Sequence, residues 1–162
     1  MECFSTLSYD ETTHNLSKNL MNITIIGTGY VGLTAAVCFA DHGHQVICVD
    51  IDADKIKRLN NKKPTIHEEG LPTVLARVVD SGKITFTTDL EYGIAQSTVI
   101  LLAVGTPQNE TTGEADLTAI YAAATACAKH IDNYKLFITK STVPTGTNHA
   151  ILELLQNNTD HP

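Results

Sequence analysis

The stretch ITIIGTGYVG, residues 23–32, joins a β-branched apolar run to the pattern GxGxxG, and an apolar, alanine-rich run follows at residues 33–40. This order predicts a strand, a tight glycine turn and the start of a helix, the arrangement that binds a dinucleotide pyrophosphate. Gly27 would permit the turn, Gly29 would let the backbone approach the phosphates, and Gly32 would let the helix pack closely on the strand. The phosphates would then lie at a helix N-terminus, where free N–H groups and the helix dipole favour an anion.

Strand and helix patterns alternate along the rest of the chain. Repeated βα units predict a parallel sheet covered by helices on both faces, with right-handed crossovers. We therefore predict a Rossmann-type doubly wound α/β fold over residues 21–157, truncated before its last strand, and a disordered or non-native extension at residues 1–20. Strands are predicted at 22–26, 45–50, 84–87, 98–104 and 136–139, and helices at 31–41, 52–60, 70–80, 90–95, 117–131 and 147–156.

Composition narrows the class of protein. The chain has 162 residues, 43% of them hydrophobic, and a formal net charge of −7. An acidic chain without a basic stripe argues against a nucleic-acid partner. The sequence has neither a run of about 20 apolar residues nor a secretion signal, so we expect a cytoplasmic protein without a membrane partner. The cysteines and histidines lack the spacing of a metal site, so no metal is expected.

Asp50 ends the second predicted strand, about 20 residues after the glycines, where the dinucleotide fingerprint expects an acid. Its carboxylate can accept hydrogen bonds from the adenosine ribose and would repel a 2′-phosphate, which favours NAD over NADP. The alternative is a helix-capping or solvated aspartate, although Asp52 is better placed as the cap.

Two further polar segments follow predicted strands. Val104-Gly105-Thr106-Pro107 follows the fourth strand and Lys140-Ser141-Thr142 follows the fifth. Ligands of parallel sheets bind beyond the strand C-termini, so these segments should converge with the glycine turn at one edge. Each segment taken alone could be an ordinary polar turn.

The motifs together resemble a known family. ITIIGTGYVGLTAAVCFADHGHQVICVDID at 23–52, AVGTP at 103–107, ADL at 115–117 and KSTVPTGT at 140–147 resemble, in order and spacing, the N-terminal domain of the UDP-glucose 6-dehydrogenases. The resemblance covers about residues 21–156. The related GDP-mannose dehydrogenases tend to carry Arg where this chain has Lys140, so the chain is more similar to the UDP-glucose branch.

The resemblance implies a role for each matching position. Residues 27–32 would cradle the NAD pyrophosphate, Asp50 and Lys55 would bind its adenosine end, and residues 104–108 would line the nicotinamide-side ribose. Thr142 would lie beside the nicotinamide with Ser141 and help position the catalytic water. The cofactor-binding residues expected in this way are Gly27, Thr28, Gly29, Tyr30, Val31, Gly32, Asp50, Lys55, Val104, Gly105, Thr106, Pro107, Ser141 and Thr142.

The resemblance also implies a reaction. The family oxidises the C6 alcohol of UDP-glucose, a small nucleotide sugar, to the carboxylate with two NAD, and a cysteine thiolate holds the intermediate covalently. The family's second domain, which carries this cysteine, has no counterpart within residues 1–162, and none of the four cysteines matches it, so we expect NAD binding without turnover. Two alternatives stay open: a stand-alone, non-catalytic dinucleotide-binding module, and the same domain of a GDP-mannose or UDP-N-acetylmannosamine dehydrogenase.

The truncation also bears on assembly. In the Rossmann order a sixth strand lies beside the fifth. Without it, the strand at residues 136–139 would form an open edge that invites self-association. We therefore expect a homo-oligomer.

Overall fold

The computed structural model describes residues 20–111 and 113–159. Within these residues, strands and helices alternate almost throughout, as predicted. The predicted extension at residues 1–20 lies outside this description, apart from Leu20. The elements are β1 (Asn22–Ile26), α1 (Tyr30–Asp41), β2 (Gln45–Val49), α2 (Ala53–Asn60), α3 (Leu71–Asp80), β3 (Ile84–Thr87), α4 (Leu90–Gln96), β4 (Val99–Leu102), α5 (Thr118–Ala128), β5 (Leu136–Thr139) and α6 (Thr147–Asn157).

The five strands form one sheet in the order β3-β2-β1-β4-β5, and every neighbouring pair is parallel. The chain therefore winds outward from β1 in one direction through β2 and β3, and then returns to β4 on the other side. The direction reverses between β1 and β4, which is where ligands of such sheets bind. The predicted α/β doubly wound fold is confirmed.

Two elements, β4 and α5, are shorter than the sequence predicts by three residues or more, whereas β2, α2 and α3 each lack one predicted residue. β4 ends at Leu102 because its neighbour β1 stops at the glycine turn, and the last bond between them joins Ala103 N–H to the carbonyl of Ile26 (2.9 Å). α5 ends at Ala128, and Ile131 N–H then donates to the Ala128 carbonyl (3.3 Å), three residues back. Such tightening at helix ends is common and leaves no clear mark in the apolar pattern.

The core lies on both faces of the sheet. On one face Ile23 and Ile25 of β1 pack with Leu33 and the other buried residues of α1, α2 and α3. On the opposite face Ile100 packs with Ile120 and with buried residues of α4 and α6. Because both faces are covered, the central strands are almost continuously apolar, as is typical of parallel sheets. This packing fixes the strand ends and so fixes the loops that follow them.

β5 is different from the central strands. It pairs with β4 alone, and on one of its faces Leu136 and Ile138 remain 44% and 40% exposed. The sheet therefore has a partly apolar, unpaired edge in the part of the chain that the structure describes. In the same described part, every helix is too short or too polar to cross a membrane.

Candidate cofactor-binding site

The first glycine of the turn is required by both its dihedral angle and its surroundings. Gly27 has a φ of +100°, and an added Cβ would lie 2.7 Å from the carbonyl oxygen of Ala103. Its N–H donates to the Val49 carbonyl (2.8 Å), so the turn continues the hydrogen bonding between β1 and β2. A side chain here would meet strain and a backbone clash together.

The other two glycines serve different purposes. An added Cβ on Gly32 would lie 1.9 Å from the Gly27 carbonyl oxygen, so α1 packs directly against the turn. Around Gly29, in contrast, an added Cβ would meet no atom within 4 Å. The protein itself therefore gives no steric reason for a glycine at this position. Open space beside the backbone fits the expectation that a phosphate approaches there.

The N-terminus of α1 is suited to an anion. The helix starts at Tyr30 with Gly29 as its N-cap, and it has neither a side-chain cap nor an acidic residue in its first turn. α2 is the counterexample, because its first N–H groups are satisfied by the side chain of Asp52. The first N–H groups of α1 lack such a side-chain acceptor, and a pyrophosphate supplies one.

Asp50 follows β2 directly and is only 9% exposed. Its Oδ2 accepts hydrogen bonds from the backbone N–H (2.8 Å) and the hydroxyl (2.6 Å) of Thr28. Its Oδ1 accepts from the N–H of Asp52 (3.0 Å), and the Nζ of Lys55 lies 4.0 Å from Oδ2. The predicted acid is therefore tied to the glycine turn itself, and Asp52 rather than Asp50 caps α2.

The charge of Asp50 follows from these contacts. Burial alone is the largest single influence and would raise the pKa of this carboxyl group. The hydrogen bonds from Thr28 and Asp52, together with the charge of Lys55, outweigh burial and hold the pKa below its ordinary value. The carboxylate is thus ionised at neutral pH, the state that accepts hydrogen bonds from a ribose and repels a phosphate.

Sequence reasoning missed one side chain beside this cluster, that of Ile51, and one contact of an expected site residue, Tyr30. Ile51, the residue after Asp50, is 99% exposed and places apolar surface next to the carboxylate. Tyr30 donates its hydroxyl to a carboxylate oxygen of Glu68, which ties the loop between α2 and α3 to the start of α1. An apolar residue directly after the strand-ending acid was the available signal for Ile51. No local pattern pairs Tyr30 with a residue so distant in sequence.

The segments after β4 and β5 meet, as their positions in the sheet predict. The hydroxyl of Thr106 donates to the backbone carbonyl of Thr142 (2.8 Å), and the hydroxyl of Ser141 donates to the carbonyl of Val104 (2.6 Å). Pro107 is held through its carbonyl, which accepts from the N–H of Asp116 (2.8 Å). The expected contacts of these residues with the nicotinamide stay predictions. In addition, the hydroxyl of Ser141 links the loop after β5 to the loop after β4.

Comparison with known proteins decides the family. The model of the UDP-glucose/GDP-mannose dehydrogenase family, NAD binding domain, matches residues 21–161. The chain belongs to this family. The resemblance is confirmed, and the cofactor of a domain of this family is NAD. An NAD-binding domain also fits the uncapped α1 and the open space at Gly29.

Curated members of the family are similar over most of the chain. A UDP-glucose 6-dehydrogenase of Rhizobium meliloti is 46% identical over 136 residues, which cover 84% of this chain and 31% of the relative. The UDP-glucose 6-dehydrogenase TuaD of Bacillus subtilis is 44% identical over 137 residues, covering 85% and 30% respectively. The chain thus spans about a third of the length of the curated relatives it matches.

Solved structures of the family share the fold. A UDP-glucose dehydrogenase from Pyrobaculum islandicum has a TM-score of 0.85 and 31% identity, and the match covers 91% of this chain and 36% of that one. A GDP-mannose dehydrogenase from Pseudomonas aeruginosa has a TM-score of 0.83 and 32% identity, covering 88% and 35%. The fold is therefore common to family members that act on different nucleotide sugars.

Proposed function

We propose that this chain is the NAD-binding part of a UDP-glucose 6-dehydrogenase, which oxidises the C6 alcohol of UDP-glucose to the carboxylate of UDP-glucuronate with two NAD. The observation that carries the proposal is the junction of an uncapped helix N-terminus with the ionised Asp50, held together by Thr28. It presents donors for a pyrophosphate and an acceptor for a ribose side by side. NAD, when bound, supplies a nicotinamide ring that accepts a hydride.

Each end of the cofactor would meet different groups. The N–H groups at the start of α1, around Tyr30 and Val31, bind the pyrophosphate. Asp50 accepts a ribose hydroxyl and disfavours a 2′-phosphate, so NAD is preferred over NADP. Lys55 binds the same adenosine end, and the exposed Ile51 offers an apolar surface to the adenine ring. The loops that carry Thr106 and Thr142 enclose the nicotinamide side, where Thr142 helps position water.

UDP-glucose is the proposed sugar because the similarity to UDP-glucose 6-dehydrogenases reaches 46% identity. The structure of the GDP-mannose dehydrogenase is 32% identical, and that of a UDP-D-ManNAc dehydrogenase from Pyrococcus horikoshii is 33% identical. Lys140, where the GDP-mannose branch tends to carry Arg, supports the same choice. Sequence similarity supports this choice, since the fold is shared by all three kinds of enzyme.

We propose further that this chain by itself binds NAD without oxidising the sugar. Covalent catalysis needs a thiolate, and the free cysteines among the described residues, Cys48 and Cys127, are both buried. Burial raises the pKa of Cys48 far above its ordinary range and that of Cys127 to about 12. Neither thiol is ionised or accessible to a sugar. In the cell we place the protein in the cytoplasm, as part of a homo-oligomer without nucleic-acid partners.

Two measurements on the purified chain test these proposals. Isothermal titration with NAD and with NADP should give binding of NAD and at least about tenfold weaker binding of NADP. Equal affinity for the two dinucleotides would contradict the role of Asp50. Absorbance at the NADH band, with NAD and UDP-glucose both present, should stay flat, and any NADH formation would refute the absence of turnover. The absorbance assay is repeated with GDP-mannose in place of UDP-glucose, and the absorbance should stay flat there as well.

A further inference from the structure

We propose that Thr28 sets the cofactor preference of this site by anchoring Asp50, and that it acts as a positioning residue rather than as a phosphate contact. The inference rests on the proposed NAD-binding role and deepens it. Thr28 occupies the first variable position of GxGxxG, where the side chain is not specified by the motif. Within residues 20–111 and 113–159, the hydroxyl of that side chain has one hydrogen-bond partner, the carboxylate of Asp50 directly after β2.

Thr28 and Asp50 are joined by two short hydrogen bonds that are shielded from water. Thr28 is 1% exposed, and both of its donors, the N–H and the hydroxyl, point at the same oxygen, Oδ2 of Asp50. A hydrogen bond to an ionised group is about twice as strong as one between neutral groups. Because the N–H of Thr28 is directed at Asp50, its part in the site runs through that carboxylate.

The hydrogen bonds from Thr28 and Asp52 leave only part of the Asp50 carboxylate available to a ligand. A carboxylate offers about four lone-pair positions. Thr28 fills two of them on Oδ2, and the N–H of Asp52 fills one on Oδ1. The remaining position on Oδ1 can accept a ribose hydroxyl, which is a donor. A 2′-phosphate at neutral pH has no such proton to donate, and it would meet a fixed negative charge that cannot turn away.

The position of Asp50 matters for the choice between NAD and NADP because the positively charged Lys55 lies next to it. Its Nζ lies 4.0 Å from Oδ2 of Asp50 and 3.9 Å from a carboxylate oxygen of Asp52, and the side chain is half-exposed. A mobile ammonium group at this place would attract a 2′-phosphate. The preference for NAD therefore depends on Asp50 holding its position beside Lys55. Once the hydroxyl of Thr28 is removed, Asp50 can rotate, and the repulsion of the 2′-phosphate weakens.

The test compares Thr28→Val with Thr28→Ser in the full chain. Valine keeps the shape of the side chain and removes the hydroxyl, whereas serine keeps the hydroxyl. Each variant is titrated calorimetrically with NAD and with NADP, and its thermal unfolding is recorded to confirm folding. Thr28→Val is also made in an Asp50→Asn background. As a readout without cofactor, the Asp50 carboxyl is titrated by ¹³C NMR in both single variants.

Thr28→Val should weaken NAD binding about tenfold, because Asp50 is no longer held in place and its hydrogen bond to the ribose hydroxyl, a bond to a charged group, is weakened or lost. NADP binding should stay the same or strengthen, because the repulsion of its 2′-phosphate falls, so the selectivity for NAD drops by at least about tenfold, while Thr28→Ser stays within about twofold of the parent. In the Asp50→Asn background Thr28→Val should have no further effect on selectivity. The pKa of Asp50 in the ligand-free protein should rise in Thr28→Val and stay low in Thr28→Ser.

The opposite results are equally clear. If Thr28→Val weakened NAD and NADP binding by the same factor, Thr28 would merely shape the turn and this inference would be overturned. An unchanged Asp50 titration in Thr28→Val would overturn the anchoring itself. If the parent chain bound neither dinucleotide, the proposed NAD-binding role would fail instead, which separates the two ideas.

Discussion

The two ends of the cofactor site are built differently. At the adenosine end, Thr28 and Asp50 are buried and bonded to each other within one βαβ unit. At the nicotinamide end, Thr106 and Thr142 belong to loops after different strands, and Thr142 is exposed. The first end is fixed by local packing, whereas the second depends on the sheet order that brings β4 beside β5. The adenosine end is therefore the rigid end of the site, because residues close in sequence hold it together. The loops of the nicotinamide end depend on the order of the strands and are freer to change position.

The largest expected effect lies at the rigid end. Gly32→Ala would place a Cβ 1.9 Å from the backbone oxygen of Gly27. Because neither backbone can move without disturbing β1 or α1, we expect the free energy of unfolding to fall by about 3 kcal/mol or more. Urea unfolding measures this loss. A decrease below about 1 kcal/mol would show that the turn is more adaptable than its packing indicates.

Gly29→Ala separates ligand binding from folding at the same turn. An added Cβ there meets no protein atom within 4 Å and φ is not positive, so stability should stay within about 0.5 kcal/mol of the parent. The methyl group would instead occupy the space expected for the phosphates, and NAD affinity should fall at least about tenfold. Calorimetric titration with NAD checks this result, with Ser81→Ala, a small change at the end of α3 and away from the turn, as control. Unchanged affinity in Gly29→Ala would place the pyrophosphate elsewhere.

Acid should weaken the rigid end selectively. Since the folded-state pKa of Asp50 lies below its ordinary value, this group stabilises the fold above about pH 4, and the contribution disappears as pH falls through the folded-state pKa. Asp50→Asn should therefore lower the free energy of unfolding by about 1 kcal/mol at pH 7 and by less at pH 3. Urea midpoints at the two pH values test this. An equal loss at both would mean that the charge of Asp50 does not stabilise the fold.

The nicotinamide end should respond more mildly. Ser141→Ala removes the hydrogen bond to the Val104 carbonyl (2.6 Å), which should lower the free energy of unfolding by about 1 kcal/mol or less. NAD affinity should also fall a few-fold, because the two loops lose a link. Ser81→Ala is the matched control, since Ser81 bonds a helix carbonyl (3.0 Å) away from the site. If both variants had the same NAD affinity, the link between the loops would not matter for binding.

The sequence predicted the backbone of the site better than its side-chain contacts. The glycine turn and Asp50 carry strong local signals, because dihedral angles and helix packing admit few residues there. The hydrogen bonds of Thr28 and Ser141 left no such signal, since threonine and serine after strands are ordinary turn residues. The end of β4 also escaped prediction, because it depends on where β1 stops. Contacts between residues that are distant in sequence could not be predicted from local patterns and were found only in the folded structure.

The mildest predicted effect concerns the open edge at β5, the strand that leads into the nicotinamide end and has a neighbouring strand on one side only. Among the residues that the structure describes, β5 pairs on one side only, and its free N–H and C=O groups beside the exposed Leu136 and Ile138 favour pairing with a second chain. We expect concentration-dependent association in light scattering, and Ile138→Lys should weaken it about twofold because a charge on an edge strand opposes pairing. Leu152→Lys is the control, since Leu152 is 49% exposed on α6 and away from that edge. A monomer at every concentration, or an equal effect of both variants, would show that β5 does not mediate association. The adenosine and nicotinamide ends would then differ only in how exposed their residues are.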